Sequence, residues 1–294
     1  MKDLVSPKQV AQAIGVSESS LKRWCDQGLI PAIKTAGGHR RLAVNGVLAY
    51  LRRTGHPIVD PEILGLPPAT TGGADRKLAG ERERFLEALI GGDEALCVQI
   101  VLNLYLADHA MSRICDEVLA SAFAEIGNRW GCGDLAVYQE RRSCELCHRV
   151  MHEVRRALPE LPSEAPIAVG GTLDGDPYTL ASSMVELVLR DLGWRAASLG
   201  NMLPFSTLRA ALCDTCPRLF WLSISSIRDL DSFYEQFADL WELTQDNGVA
   251  LAVGGKALTE DVRRQIHYSA FCDTFEHLAS FARTLHPMRS ANAG

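Results

Sequence analysis

Apolar residues recur along this chain with two periods, and the period changes near residue 165. In SPKQVAQAIGVSESSLKRWCDQGLI, residues 6–30, two segments with three- and four-residue spacing are broken at Gly15-Val16-Ser17. Val10, Ala13 and Ile14 form one inner face; Val16, Leu21 and Trp24 form the next. Ser17 stands where its hydroxyl accepts from the following amides and caps the second helix. This is helix–turn–helix spacing. Two β-like pieces then flank Ala36-Gly37-Gly38, which predicts a hairpin wing, and residues 44–53 predict a third helix. The following stretch is rich in Pro, Gly and Thr and predicts a flexible linker over 56–77. Helix formers fill residues 78–160 in four blocks: to about Ile90, from Asp93 as cap to about Leu106, on to Gly131, and from near Asp134 to Pro159. Their apolar spacing predicts a four-helix bundle. From residue 164 to 287 strand and helix alternate, with helices expected at 177–192, 204–213, 230–245, 259–266 and up to about Leu285. Five strands so connected predict a parallel, doubly wound sheet, whose ligands bind at the carboxyl ends of its strands.

The chain is thus expected to be a multidomain α and α/β protein, with a winged helix–turn–helix over 1–55 ahead of the bundle and the sheet. Its 47% hydrophobic and 22% charged residues are ordinary for a soluble protein. No apolar run approaches the roughly 20 residues of a membrane helix, and the first residues lack a secretory apolar core. Nine cysteines, an odd number, argue against a disulfide scaffold and for a reducing cytoplasm. The net charge of −6 hides an asymmetry: residues 1–53 hold nine Lys/Arg and three Asp/Glu of the chain's 30 and 36. A basic head on an acidic body points to a polyanion met by the head alone.

On that head, Ser19, Ser20, Lys22 and Arg23 lie on the outer face of the second helix, where side chains reach phosphates or base edges. Lys34, His39, Arg40 and Arg41 belong to the wing. Its glycines let the tip approach a backbone closely, and adjacent arginines neutralise it. The ordered combination of helix–turn–helix, Gly28-Leu29-Ile30-Pro31 and Gly37-Gly38-His39-Arg40-Arg41 resembles the winged-helix DNA-binding domain of the MerR family. The resemblance covers about the first 55 residues and implies binding to double-stranded operator DNA, as a dimer on two half-sites. Many members carry a dimerising helix directly after this domain; here the Pro-rich stretch stands in its place, so self-association is expected from further along.

In the bundle, Trp130 closes the third block, and Glu140 shares a face with Cys144 and Cys147. Singly, they read as a core aromatic and a solvated carboxylate. Their arrangement W-x-x-G-x-x-x-V-x-x-E resembles the helical cap of methionine-synthase-like cobalamin-binding modules, most of all those fused to MerR heads in light-responsive repressors of carotenoid genes. That resemblance implies that the Trp packs over the cofactor's upper ligand with the Glu beside it. In that family the Glu is commonly followed by His; here Arg141 follows. Cys144-x-x-Cys147-His148 has the spacing of a c-type haem site, and Cys213-x-x-Cys216 repeats the pair. Placed mid-helix and across a domain boundary, these four read as small buried thiols, not as haem or zinc ligands.

The sheet domain is similar to the Rossmann-like cobalamin-binding domain. There a D-x-H-x-x-G loop follows the first strand; its His ligates cobalt and its Asp orients that imidazole. The nucleotide tail passes between strands, beside a Ser-containing loop and a Gly-Gly turn. Here the loop reads Asp176-Pro177-Tyr178-Thr179-Leu180-Ala181, while Ser223, Ser225, Gly254 and Gly255 match the later elements. A phenol coordinates poorly because it deprotonates only near pH ~10. Three outcomes are open: cobalamin with no protein ligand beneath it, another tetrapyrrole or bilin, or no cofactor and a docking surface for a partner protein. No nucleophile–base pairing or phosphate-cradling loop points to catalysis. The expected function is a DNA-binding transcription regulator whose C-terminal module senses a ligand, light or a partner and controls oligomerisation, as dimer or tetramer, and operator binding. The alternative is a corrinoid carrier or enzyme component with a fused DNA-binding head.

Overall fold

The computed structural model describes residues 1–68 and 78–286. It divides into two compact units, Met1–Glu160 and Leu161–Gly294.

The N-terminal unit opens with strand β1 (Leu4–Val5) and helices α1 (Pro7–Ala13) and α2 (Glu18–Asp26). Ser6 and Gln9 make a reciprocal capping box on α1, and Ser17 accepts the Ser20 amide at the head of α2. Strands β2 (Ala32–Lys34) and β3 (Arg40–Ala43) form the wing hairpin, and β1 pairs with β3 on its other edge. Helix α3 (Val44–Thr54) ends at Gly55, whose φ of +64° is the left-handed cap a Cβ resists. Val10, Ala13, Ile14, Leu21, Leu42, Leu48 and Leu51 fill the head's core, whereas Val16 and Trp24 are only half-buried.

The predicted linker is corrected over its first half. The amides of Val59 and Asp60 both donate to the Ala13 carbonyl, a 3-10 turn spans Pro61–Leu64, and Ile58, Leu64 and Leu66 are buried. These apolar residues extend the head's core, so the Pro-rich composition marks a turn, not slack. Residues 69–77 of the expected linker lie outside the described residues.

The bundle comprises α4 (Leu78–Gly91), α5 (Glu94–Leu106, capped by Asp93), a third segment and α8 (Val137–Ala157). The third segment is α6 (Met111–Ile114), one π-helical stretch (Cys115–Ala120) and α7 (Ser121–Gly131). Helix α5 is apolar almost all round, and every residue from 100 to 106 is buried. A helix of that kind needs neighbours on every side. It packs against α4 and α8 and also against α3 of the head. Arg52 of α3 stacks 4.0 Å above the Tyr105 ring, donates from Nη2 to the His109 carbonyl at 3.1 Å and pairs with Asp108 at 3.2 Å. A second tie lies on α8, where Arg156 donates to the Met1 carbonyl at 2.9 Å and to Asp3 at 2.6 Å, and the Met1 ammonium meets Glu153. Head and bundle are joined at two places.

In the C-terminal unit the strands are β4 (Ile167–Thr172), β5 (Arg195–Ser198), β6 (Leu219–Ser223), β7 (Ala250–Gly254) and β8 (Ala270–Phe271). All pair in parallel in the order β5-β4-β6-β7-β8. The connecting helices are α9 (Leu180–Asp191), α10 (Phe205–Thr215), α11 (Leu230–Asp246), α12 (Glu260–Arg263) and α13 (Phe275–Leu285). Val169, Phe220, Leu222, Leu251 and Val253 pack with Phe205 of α10 and Phe237 of α11 on one face; α9 and α13 pack together on the other. The strand order reverses between β4 and β6, and at such a switch point doubly wound sheets bind their ligands, outside the carboxyl ends of the strands. Among the described residues no helix is long and apolar enough to cross a membrane.

Replacing Arg52 with Ala should lower the unfolding free energy of the N-terminal unit by about 1–2 kcal/mol, chiefly through the lost stacking on Tyr105. Chemical denaturation followed by circular dichroism measures this.

Candidate functional site

The structure brings Lys22, His39, Arg40 and Arg41 of the expected DNA-facing residues around one cleft of the head. Ser19, Lys22 and Arg23 are exposed on α2, and Lys34 and His39 are exposed on the wing. The wing turn closes through Thr35, whose carbonyl accepts the Gly38 amide at 2.8 Å; Gly38, at φ +76°, takes a conformation open to glycine. Ser20 is half-buried, its Oγ 2.9 Å from Ser17 Oγ. A cleft of about 480 Å³ runs between α2 and the wing, lined by Lys8, Lys22, His39, Arg40 and Arg41 among others. Lys22 pairs with Glu18 at 2.8 Å, and this contact holds the Glu18 carboxyl below its usual range. Asp26, at the end of α2, was missed as a member of this face; its signal was an acidic residue in a basic segment.

At the end of the bundle, Trp130 is not a core aromatic: it is 52% exposed, and the nearby chain also exposes Val137 and Tyr138. Glu140 is half-buried, 3.3 Å from Arg141, and accepts from Cys144 Sγ at 3.5 Å. Burial, then the adjacent Glu140 carboxylate, pushes the Cys144 thiol up to about 12. Burial likewise raises Cys147 and Cys97 and lowers His148. The reading of four buried thiols needs correction, because Cys213 and Cys216 are exposed; they close α10, where Cys216 takes the left-handed region at φ +43°. Among the described residues no group of three or more His, Cys, Asp or Glu is placed to hold a metal ion.

At the sheet's switch point the loop after β4 is a built structure. Asp176 is fully buried; Oδ1 accepts the Tyr178 amide at 3.1 Å and Oδ2 accepts the Ser225 amide. Thr172 Oγ1 donates to the Asp176 carbonyl at 2.6 Å and accepts from the Met202 amide at 3.2 Å. Helix α9 starts at Leu180 and not at the expected Pro177; residues 177–179 belong to the loop, where the Asp176 side chain holds the Tyr178 amide. Tyr178 is 49% exposed at the crevice, with Lys256 Nζ 5.1 Å above its ring. Met202 is exposed too.

The residues present do not fit a corrinoid held through a protein imidazole. Tyr178 stands where the resembled loop has its imidazole, and a neutral phenol is a poor ligand for cobalt. The two glycines of the Gly-Gly turn serve the protein's own packing. A Cβ on Gly255 would meet the Ile224 carbonyl at 2.3 Å, and one on Gly254 the Cys272 carbonyl at 2.5 Å. Ser223 is buried in β6 and Ser225 half-buried in the loop beyond it. On the α9 face, Trp221 lies against Gly170 so tightly that a Cβ there would come within 2.5 Å of the indole. That indole and Ser182 Oγ are buried without hydrogen-bond partners, so this face keeps unmet polar capacity.

Residues 4–55 match the helix-turn-helix domain family, and residues 81–155 match the B12 binding domain family. The chain is 26% identical over 268 residues, 84% of its length and 87% of the relative's, to the HTH-type transcriptional repressor CarH of Myxococcus xanthus. Among solved structures, the monomethylamine corrinoid protein of Methanosarcina barkeri covers 70% of this chain and 98% of its own, with a TM-score of 0.58 and 15% identity. That last likeness is one of fold. The chain therefore carries a helix-turn-helix domain followed by a B12-binding-type module with a parallel five-stranded sheet.

Asp176→Ala should destabilise the C-terminal unit by about 2–4 kcal/mol, because two amides lose a charged acceptor. Exposed Tyr178→Phe should stay within about 0.5 kcal/mol of wild type. Denaturant unfolding of the full chain, followed by tryptophan fluorescence, compares them.

Proposed function

We propose that this chain is a DNA-binding transcription regulator whose C-terminal module responds to a signal without a protein-ligated cobalt. The observation that carries it is the helix–wing face, where Lys22, Arg23, Lys34, His39, Arg40 and Arg41 gather on one side of a head with three acidic residues in 53. Such a face neutralises a phosphate backbone, while Ser19, Ser20 and Arg23 offer groups for base edges. The likeness to a transcriptional repressor supports the same reading. A head acting as a dimer would read two half-sites. Regulation then works by changing self-association, which requires that the signal bind one assembly state better than another. The two ties between head and bundle support such coupling, since a change in the bundle carries α3 with it. We read the protein as cytoplasmic and non-enzymatic.

For the signal, Tyr178 favours a flat ligand laid against an aromatic surface: a cobalamin with no protein ligand below, or another tetrapyrrole. A corrinoid would supply light- or alkyl-sensitive cobalt chemistry, and Tyr178 would bear on its face by stacking alone. The second reading, a docking surface for a partner protein, is favoured by the close backbone packing at Gly254 and Gly255.

Arg40→Ala with Arg41→Ala should weaken duplex binding about 10-fold or more on all sequences and reduce the salt slope of log K by about 1–2. Fluorescence anisotropy at several salt concentrations measures both, and unchanged binding contradicts the wing's role. The absorbance spectrum after incubation with cobalamins and gel filtration addresses the signal. Retained bands without the shift of an imidazole-ligated cobalt are expected; a bare protein spectrum turns the account to partner docking.

A further inference from the structure

The wing arginine best placed to meet DNA is already engaged. Arg40 Nη2 pairs with Asp26 Oδ1 at 2.6 Å, and its Nη1 donates to the Lys22 carbonyl at 3.4 Å. This pair differs from the neighbouring Glu18–Lys22 contact, an ordinary i,i+4 pair within one helix. It joins the end of α2 to the first residue of β3, beside the wing turn, and both residues line the basic cleft. Asp26 keeps 60% of its side chain exposed, so it faces whatever enters the cleft. A carboxylate and a phosphate offer a guanidinium the same paired oxygens.

We propose that Asp26 is an internal stand-in for a backbone phosphate, holding Arg40 against α2 in the free head and yielding it to the duplex. This inference rests on the DNA-binding reading of the head. Surface ion pairs of this exposure are weak enough to exchange. Once Arg40 has moved to a phosphate, Asp26 is left facing the polyanion and repels it. That repulsion is the same on every sequence. It therefore lowers non-specific affinity and leaves discrimination to the base-edge contacts of α2.

The test is Asp26→Asn in the full chain, measured by fluorescence anisotropy on an unrelated-sequence duplex over a salt series. Asn keeps the shape and removes the charge. The variant should bind about 3- to 10-fold tighter near 0.1 M salt, with the gain shrinking as salt rises, because the ion pair and the repulsion are both screened. In an Arg40→Ala background the gain should fall to the part that comes from repulsion alone, and the unfolding midpoint should stay at the wild-type value in both backgrounds. Weaker binding by Asp26→Asn overturns the inference and makes Asp26 a positioning residue for Arg40. Equal binding, or a gain just as large without Arg40, also overturns it. If neither wild type nor variant binds any duplex in a salt-dependent way, the DNA-binding reading itself fails; wild-type binding with an unresponsive variant sinks the present inference alone.

Discussion

Asp176 is buried at the point where the strand order reverses, and its two oxygens take amides from the loops after β4 and β6. A buried carboxylate is tolerated only with such partners. Its position therefore fixes both loops at once. Tyr178 is carried to the crevice as a consequence, half-exposed under Lys256. The parallel sheet of a B12-binding-type module is kept here, with Asp176 holding the edge of that sheet together.

A comparable constraint acts in the N-terminal unit. Helix α5 is apolar on nearly all sides, and its cover is shared between the other three bundle segments and the head. Helix α3 supplies the head's share, and Arg52 closes the seam by lying over Tyr105. The hydrophobic demand of one helix thus fixes where the DNA-facing surface is held relative to the bundle.

Most of the architecture was legible in the sequence because period and punctuation agreed. The three- and four-residue spacing, Ser17 and Asp93 as caps, and the strand–helix alternation after residue 165 each matched the elements formed. The misreadings have local causes. Composition suggested slack after residue 55, but Ile58, Leu64 and Leu66 add to the head's core. The all-apolar α5 was the available sign that the head docks, and it was read only as a bundle helix. Pro177 has the residue type of a helix start, yet α9 begins three residues later, at Leu180. The residues of the corrinoid-like loop could be located by order alone, whereas the use of Asp176, Gly254 and Gly255 in internal packing needed coordinates.

The central claim is that a charged helix–wing face, held on the bundle, grips duplex DNA through its phosphates. The most direct measurement is the equilibrium affinity of the purified full chain for a defined duplex across a range of salt concentrations. The account predicts a linear fall of log K with log salt, with a slope corresponding to several neutralised phosphates. Affinity that does not change with salt, or no affinity for duplex DNA at low salt, would contradict it.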